Sequence, residues 1–294
     1  MRTPPSVMPA LVTPFDAAGD LDLAAHRHNL AALASSGVAG FLVAGSTGEG
    51  PYLQPGERTA LVDVARASLA DAFVLSGVAA ESVRQALGQV DEVADTADAC
   101  LVVTPTTLAR RNESAVHRFY MELAAASPLP VFLYSVPSVT GYELPVSSVI
   151  EVAAHPNVVG IKDSGGDPTR VTAIRTRLGS GFWIYAGASA ALAESMANGA
   201  SGAITASANY AFALVTRVIE AGHAKTSSPA QRALSVLSRE VERHGVAGTK
   251  AAAAATGLRP GAPRLPLAPL DRPEATSIAA LVEAEVGKDV PSAR

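Results

Sequence analysis

The segment Asn157-Val158-Val159-Gly160-Ile161-Lys162-Asp163-Ser164-Gly165-Gly166-Asp167 runs from a short apolar stretch of strand type into a lysine and then into turn residues. A lysine at the C-terminal end of a buried strand sits where its ammonium loses water. Desolvation disfavours the charged form, and the neutral amine is a nucleophile toward ketones. The other reading of such a lysine is a side chain that simply reaches solvent. What the rest of the chain builds around that strand decides between them.

Working outward, the same alternation recurs. Short apolar, β-rich runs at 7–12, 40–44, 73–78, 99–103, 131–134, 158–162, 183–186 and 202–205 are separated by amphipathic segments at 23–35, 55–68, 82–95, 114–125, 146–153, 168–178 and 190–198, with an eighth near 211–221. In those segments apolar residues return every three or four positions, the period of a helix face. The count predicts an α/β fold, a (β/α)8 TIM barrel. The strand runs are apolar throughout rather than alternating, as parallel strands covered by helices require. A doubly wound open sheet is the second arrangement with this count, but no Gly-rich dinucleotide fingerprint follows the first strand. After about residue 225 the pattern changes to helical segments at 235–243 and 249–256, a Pro-rich extended link at 258–269 and a last helix at 273–286. The expected division is a catalytic barrel over 1–224 and a C-terminal helical extension, 225–294, packed on it.

Composition narrows the function classes. Over 294 residues, 48% are apolar and the net charge is −4 with no long run of one sign. Such a chain buries a large core and asks for neither nucleic acid nor an anionic membrane. The N-terminus lacks an apolar leader and no run approaches about eighteen apolar residues, so the expectation is a soluble, cytoplasmic protein. The single cysteine, Cys100, lies in an apolar strand and reads as a buried, inert thiol. His26 and His28 are two apart on a helix and do not share a face, and there is no His-Glu-x-x-His motif or Cys pair. Neither a metal nor a redox cofactor is expected.

In a (β/α)8 barrel the chemistry gathers at the C-terminal ends of the strands. There the chain places Gly45-Ser46-Thr47-Gly48-Glu49-Gly50, Tyr134-Ser135-Val136-Pro137, Lys162-Asp163-Ser164, Gly187 and Thr205-Ala206-Ser207. The 45–50 loop offers hydroxyls and backbone N–H groups to a carboxylate or phosphate, without the Gly-Lys-Ser/Thr end of a P-loop. Tyr134 is either a proton carrier or a core aromatic with a bonded hydroxyl. Arg110 and Arg111 either meet a second acidic group or solvate a loop. A lysine, a tyrosine and an anion-holding loop at one mouth suit a 2-oxo acid bound as a Schiff base. Its protonated imine acts as an electron sink for making or breaking a bond at C3.

These motifs, in this order, resemble the dihydrodipicolinate synthase/N-acetylneuraminate lyase family of class I pyruvate-dependent aldolases. The resemblance extends from Val12-Thr13-Pro14-Phe15 to Pro263-Arg264-Leu265-Pro266-Leu267. It implies a barrel with a C-terminal helical extension, a homotetramer, no cofactor, and pyruvate plus an aldehyde as reactants. It also implies Lys162 as the Schiff-base lysine and Tyr134 as the proton shuttle. Ser46 and Thr47 would hold the pyruvate carboxylate, and Gly187 and Ile204 would line the pyruvyl pocket through backbone groups. Tyr134–Pro137 followed by Thr140-Gly141, together with Lys162–Asp167, is most similar to the 4-hydroxy-2-oxoglutarate aldolase branch, where Ser164 would sit beside substrate and the products would be pyruvate and glyoxylate.

Two departures stand out. Val139 occupies the place where lysine-pathway synthases carry an arginine that clamps the aldehyde's carboxylate, and an apolar side chain supplies no bidentate contact. Thr107 stands where the family often has a tyrosine lent across a dimer interface. The same imine chemistry would serve a dihydrodipicolinate synthase-like condensation or a 2-oxo-acid dehydratase. A non-catalytic 2-oxo-acid binding protein is the reading of another class.

Overall fold

A computed structural model describes residues 2–222 and 228–286. Its strands are β1 (Val7–Pro9), β2 (Gly40–Val43), β3 (Phe73–Val78), β4 (Ala99–Val103), β5 (Val131–Ser135), β6 (Val158–Asp163), β7 (Trp183–Ala186) and β8 (Gly202–Thr205). All pair in parallel, in the order β1-β8-β7-β6-β5-β4-β3-β2. The two ends of that order meet: Ala10 bridges Leu42, and the Leu11 N–H donates to the Leu42 carbonyl at 2.9 Å. The sheet therefore closes, and the open doubly wound alternative falls. β1 is shorter than the 7–12 apolar run because Pro9 has no N–H to continue a ladder, leaving only the single bridge beyond it.

The helices follow the strands in turn: α1 (Leu23–Ser35), α2 (Glu57–Ser68), α3 (Val83–Asp91), α4 (Glu113–Ala126), α5 (Pro137–Thr140), α6 (Val146–Val152), α7 (Pro168–Leu178), α8 (Leu192–Ala197) and α9 (Phe212–Glu220). Three more, α10 (Pro229–Glu242), α11 (Gly245–Ala255) and α12 (Arg272–Val286), come after the barrel. Short polar side chains set many of the starts. Asp22, Ser82, Asn112, Asp167 and Ser228 each accept a backbone N–H from the first turn of α1, α3, α4, α7 and α10. Ser228-Pro229 explains why α10 begins at 229 rather than at 235, where its apolar periodicity first becomes plain.

Apolar burial falls into layers. Met8, Leu42, Leu75, Leu101, Phe132, Tyr185 and Ile204 fill the barrel interior. A larger shell, including Leu30, Phe41, Leu61, Tyr120, Leu133 and Ile174, lies between strands and helices. In a third cluster, Leu234, Leu237 and Val241 of α10, Ala252 of α11 and Ile278 and Val282 of α12 pack with Leu214 and Val218 of α9. The 224/225 division expected from sequence lies within 223–227, outside the described residues. Cys100 is fully buried, and burial pushes its thiol up to about 12. Among the described residues no helix is long and apolar enough to cross a membrane.

Candidate active site

The strand register brings the two central residues together. β5 and β6 pair with Tyr134 opposite Lys162, and partners in a parallel ladder project to the same face. Both side chains are buried, and the Lys162 Nζ lies 4.5 Å from the centroid of the Tyr134 ring. The next residue, Asp163, faces away from this role. Its Oδ2 accepts from Arg170 Nε at 2.9 Å and its Oδ1 from the Gly165 N–H at 2.9 Å. Arg170 also donates to the Leu144 carbonyl at 2.7 Å. This buried pair pins the turn that carries Ser164, while Lys162 has no ion-pair partner among the described residues.

Ser164 is positioned tightly. A Cβ on Gly187 would fall 1.9 Å from the Ser164 hydroxyl and 3.1 Å from the Lys162 Cε, so only glycine leaves room for both. The Gly187 N–H donates to the Asp163 carbonyl at 2.7 Å, which fixes the approach.

The loop after β2 is folded sharply. Ala44 and Glu49 adopt left-handed backbone angles, φ 57° and 56°, that non-glycine residues rarely take. Thr13, in the segment after β1, holds the loop by donating to the Gly48 carbonyl at 2.6 Å. Glu49, nearly fully buried, points out of the mouth into the seam with the C-terminal helices. There it pairs with Lys250 Nζ at 2.7 Å and accepts from the Arg264 N–H at 2.7 Å. The loop is thereby clamped with Ser46 and Thr47 facing the mouth.

At that mouth lies a cavity of about 300 Å³, suited to a small molecule. Ser46, Thr47, Tyr134, Lys162, Ser164 and Gly187 all line it. The Ile204 side chain is fully buried in the barrel interior, in register with Met8, which leaves its backbone as the part that the resemblance assigns to the pocket. Val139 lines both this cavity and an adjoining one of about 280 Å³ that shares Ser46 and Tyr134. Thr107 lines neither. Its N–H donates to Glu81 at 2.9 Å, as do the Thr106 N–H and hydroxyl at 3.0 and 2.6 Å, tethering the loop after β4. Arg110 and Arg111 also line neither cavity.

One wall was not foreseen from the sequence. Glu242, Gly245, Val246 and Thr249, from the junction of α10 and α11, complete the cavity opposite the strand ends. Glu242 Oε1 accepts from the Ser189 hydroxyl at 3.3 Å. Ser189 meets Ser207 at 2.8 Å, and Ser207 meets Thr205 at 3.0 Å, a buried file of hydroxyls leading back to β8. Glu242 is exposed where it lines the cavity. Partial desolvation by the surrounding wall raises its carboxyl above the ordinary range, with the Ser189 hydrogen bond and the Lys162 charge opposing the rise.

The chain matches the family model described as the dihydrodipicolinate synthetase family over residues 3–285. Among curated proteins it is similar to 4-hydroxy-tetrahydrodipicolinate synthase 1 of Streptomyces coelicolor, 34% identical over 272 residues, covering 90% of this chain and 88% of that one. It is 31% identical over 284 residues to the 4-hydroxy-tetrahydrodipicolinate synthase of an Exiguobacterium species, covering 95% of this chain and 96% of that one. Among solved structures it is similar to YagE of Escherichia coli K12, a prophage protein of the dihydrodipicolinic acid synthase family in complex with pyruvate. The TM-score is 0.88 at 25% identity, covering 95% of this chain and 98% of that one.

Proposed function

This chain belongs to the dihydrodipicolinate synthetase family of carbon–carbon lyases and synthases, and we propose that it forms or breaks a carbon–carbon bond between pyruvate and an aldehyde through a Schiff base on Lys162. The observation that carries the reading is the meeting of a buried, unpaired lysine, a tyrosine against its ammonium and the Ser46-Thr47 loop around one small cavity. Lys162 condenses with the pyruvate ketone and releases water, while Ser46 and Thr47 hold the carboxylate. In cleavage, Tyr134 takes the proton of the C4 hydroxyl, the C3–C4 bond breaks, and its electron pair enters the imine to give an enamine. Protonation at C3 and hydrolysis then release pyruvate; synthesis is the reverse. No metal or redox step enters this scheme.

The aldehyde implied by resemblance to the 4-hydroxy-2-oxoglutarate aldolase branch is glyoxylate, with Ser164 beside it. The condensation named for the synthase relatives has less support, because Val139 cannot clamp a carboxylate. Borohydride reduction with pyruvate followed by intact-protein mass spectrometry tests the reading. An added reduced-pyruvyl mass is expected, and the absence of any adduct with a panel of 2-oxo acids would overturn it in favour of a non-catalytic binding protein. The homotetramer implied by the resemblance is part of the same proposal and is read by light scattering.

A further inference from the structure

The charges lining the two adjoining cavities are mostly negative. Pyruvate's carboxylate has the Ser46-Thr47 loop and the cation of Lys162. Beyond Tyr134 and Val139, the ionisable side chains lining the two adjoining cavities are Glu242 on one side and Glu81 on the other. Lys162 is the only Lys, Arg or His lining either, among the described residues. Arg110 packs over Gly141 after α5 and lines neither cavity. The remaining wall, Val136, Ser138, Val139, Val246 and Thr249, offers apolar surface and two hydroxyls.

From this arrangement we infer that Glu242, held by Ser189 at the mouth of β7, is a specificity-determining residue that turns carboxylated aldehydes away and accepts hydrogen bonds from the hydroxyls of neutral ones. The inference rests on the Schiff-base reading and replaces the glyoxylate that resemblance implies with a second substrate of another class, a short hydroxyaldehyde without an acidic group. A carboxylate placed there would lie against a like charge with no arginine to offset it, and like-charge juxtaposition is the common device for rejecting a wrong partner. An uncharged hydroxyl finds an acceptor already oriented by the Ser189–Ser207–Thr205 file. Glu242 would then act on the choice of aldehyde and not on imine formation.

The test measures kcat/KM in the synthesis direction with saturating pyruvate, for glyceraldehyde and glycolaldehyde against glyoxylate and succinate semialdehyde. It uses the wild type, Glu242→Gln, Glu242→Arg and Arg110→Ala. Borohydride trapping of pyruvate on each variant identifies assembled sites, so the ratio is read only on those. The wild type is expected to favour the neutral aldehydes by roughly ten- to hundredfold, the size of one partly solvated like-charge contact. Glu242→Gln should narrow that ratio by about tenfold, Glu242→Arg should invert it, and Arg110→Ala should leave it in place. A wild type that prefers glyoxylate overturns the inference even if no variant folds, as does a ratio unmoved by Glu242→Gln. Failure of the wild type to trap pyruvate is a separate outcome that overturns the Schiff-base reading, and this inference with it.

Discussion

Lys162 and Lys250 are both almost fully buried, 4% and 3% exposed, and the protein uses them in opposite ways. Lys250 sits in the seam between the barrel and α11, 2.7 Å from the Glu49 carboxylate, donating to the Ala262 carbonyl at 2.8 Å with the Phe15 ring 4.9 Å away. Burial lowers its pKa, and Glu49 opposes that by hydrogen bond and charge, so the ammonium is held as a fixed strut. Lys162 lies in a barrel strand with a tyrosine ring at 4.5 Å and a cavity in front of it, and its neighbouring carboxylate, Asp163, is already committed to Arg170. Burial alone does not make a lysine a nucleophile. What separates the two is whether the lysine's own partner is a carboxylate or an opening.

Exchanging each lysine for alanine should break this pair most sharply. Lys162→Ala should lose the reduced-pyruvyl adduct altogether while shifting the melting temperature by a few degrees at most, since no ion pair is broken. Lys250→Ala strands Glu49 in the seam without its cation. Leaving a buried charge unpaired costs about 3–5 kcal/mol, which for a chain of this size is roughly 10 °C of melting temperature. The folded fraction should still trap pyruvate, with weakened apparent affinity because the loop bearing Ser46 and Thr47 has lost its clamp. Differential scanning calorimetry and trapping on the same samples separate the outcomes. Loss of the adduct in a Lys250→Ala protein of unchanged stability would show that the distinction between the two lysines is wrong.

The rings beside the lysines sharpen the same contrast at a smaller scale. Tyr134→Phe keeps the ring over Lys162 and removes only the hydroxyl. If that hydroxyl carries protons, kcat should fall by about 10²–10⁴ with pyruvate trapping retained. A near-wild-type kcat would reduce Tyr134 to a packing partner, the role Phe15 has beside Lys250. Stopped-flow single turnovers distinguish slowed chemistry from slowed imine formation.

How much of this was legible in the sequence follows from where each interaction comes from in the chain. The strands and Lys162 were readable because a run such as Val158-Val159-Gly160-Ile161 is apolar on both faces, which only a helix-covered parallel strand accommodates. Tyr134 and Lys162 then fell together because successive barrel strands pair in register. α5 escaped, being a single turn, although Pro137 at its start and Gly141 at φ 62° after its end were the available signals. Glu49 was read with the anion loop, whereas its side chain turns back to Lys250, two hundred residues on, and nothing local announces that. Glu242 was least visible. In Arg239-Glu240-Val241-Glu242-Arg243 it looks like one more charge on a solvated helix face, and only the break before Gly245 aims it at a lysine on another element. The resemblance assigns Ile204 to the pyruvyl pocket through its backbone, and its side chain packs inside the barrel.

The seam that holds Lys250 has a weaker, outer counterpart whose pH dependence gives the smallest expected effect. Arg264 makes a bidentate pair with Glu57 at the start of α2, 2.6 and 2.7 Å, while also donating to the Gly19 and Tyr52 carbonyls and lying 4.1 Å from the Phe15 ring. The Arg264 hydrogen bonds hold the Glu57 carboxyl below the ordinary glutamate range, against a partial desolvation that acts the other way. A carboxyl whose folded-state pKa is depressed stabilises the fold above its unfolded-state pKa, and that stabilisation disappears as the pH drops through the folded-state value. The pair is partly solvated, so its worth is about 1 kcal/mol, or roughly 2–4 °C. The melting-temperature gap between wild type and Glu57→Gln should therefore be full near neutrality, begin to close below about pH 4.5 and vanish in stronger acid. A gap that stayed constant down to about pH 3 would mean that the loss in Glu57→Gln does not come from the carboxylate's charge. The charge in this outer clamp would then be incidental, unlike the buried charge pair at Lys250.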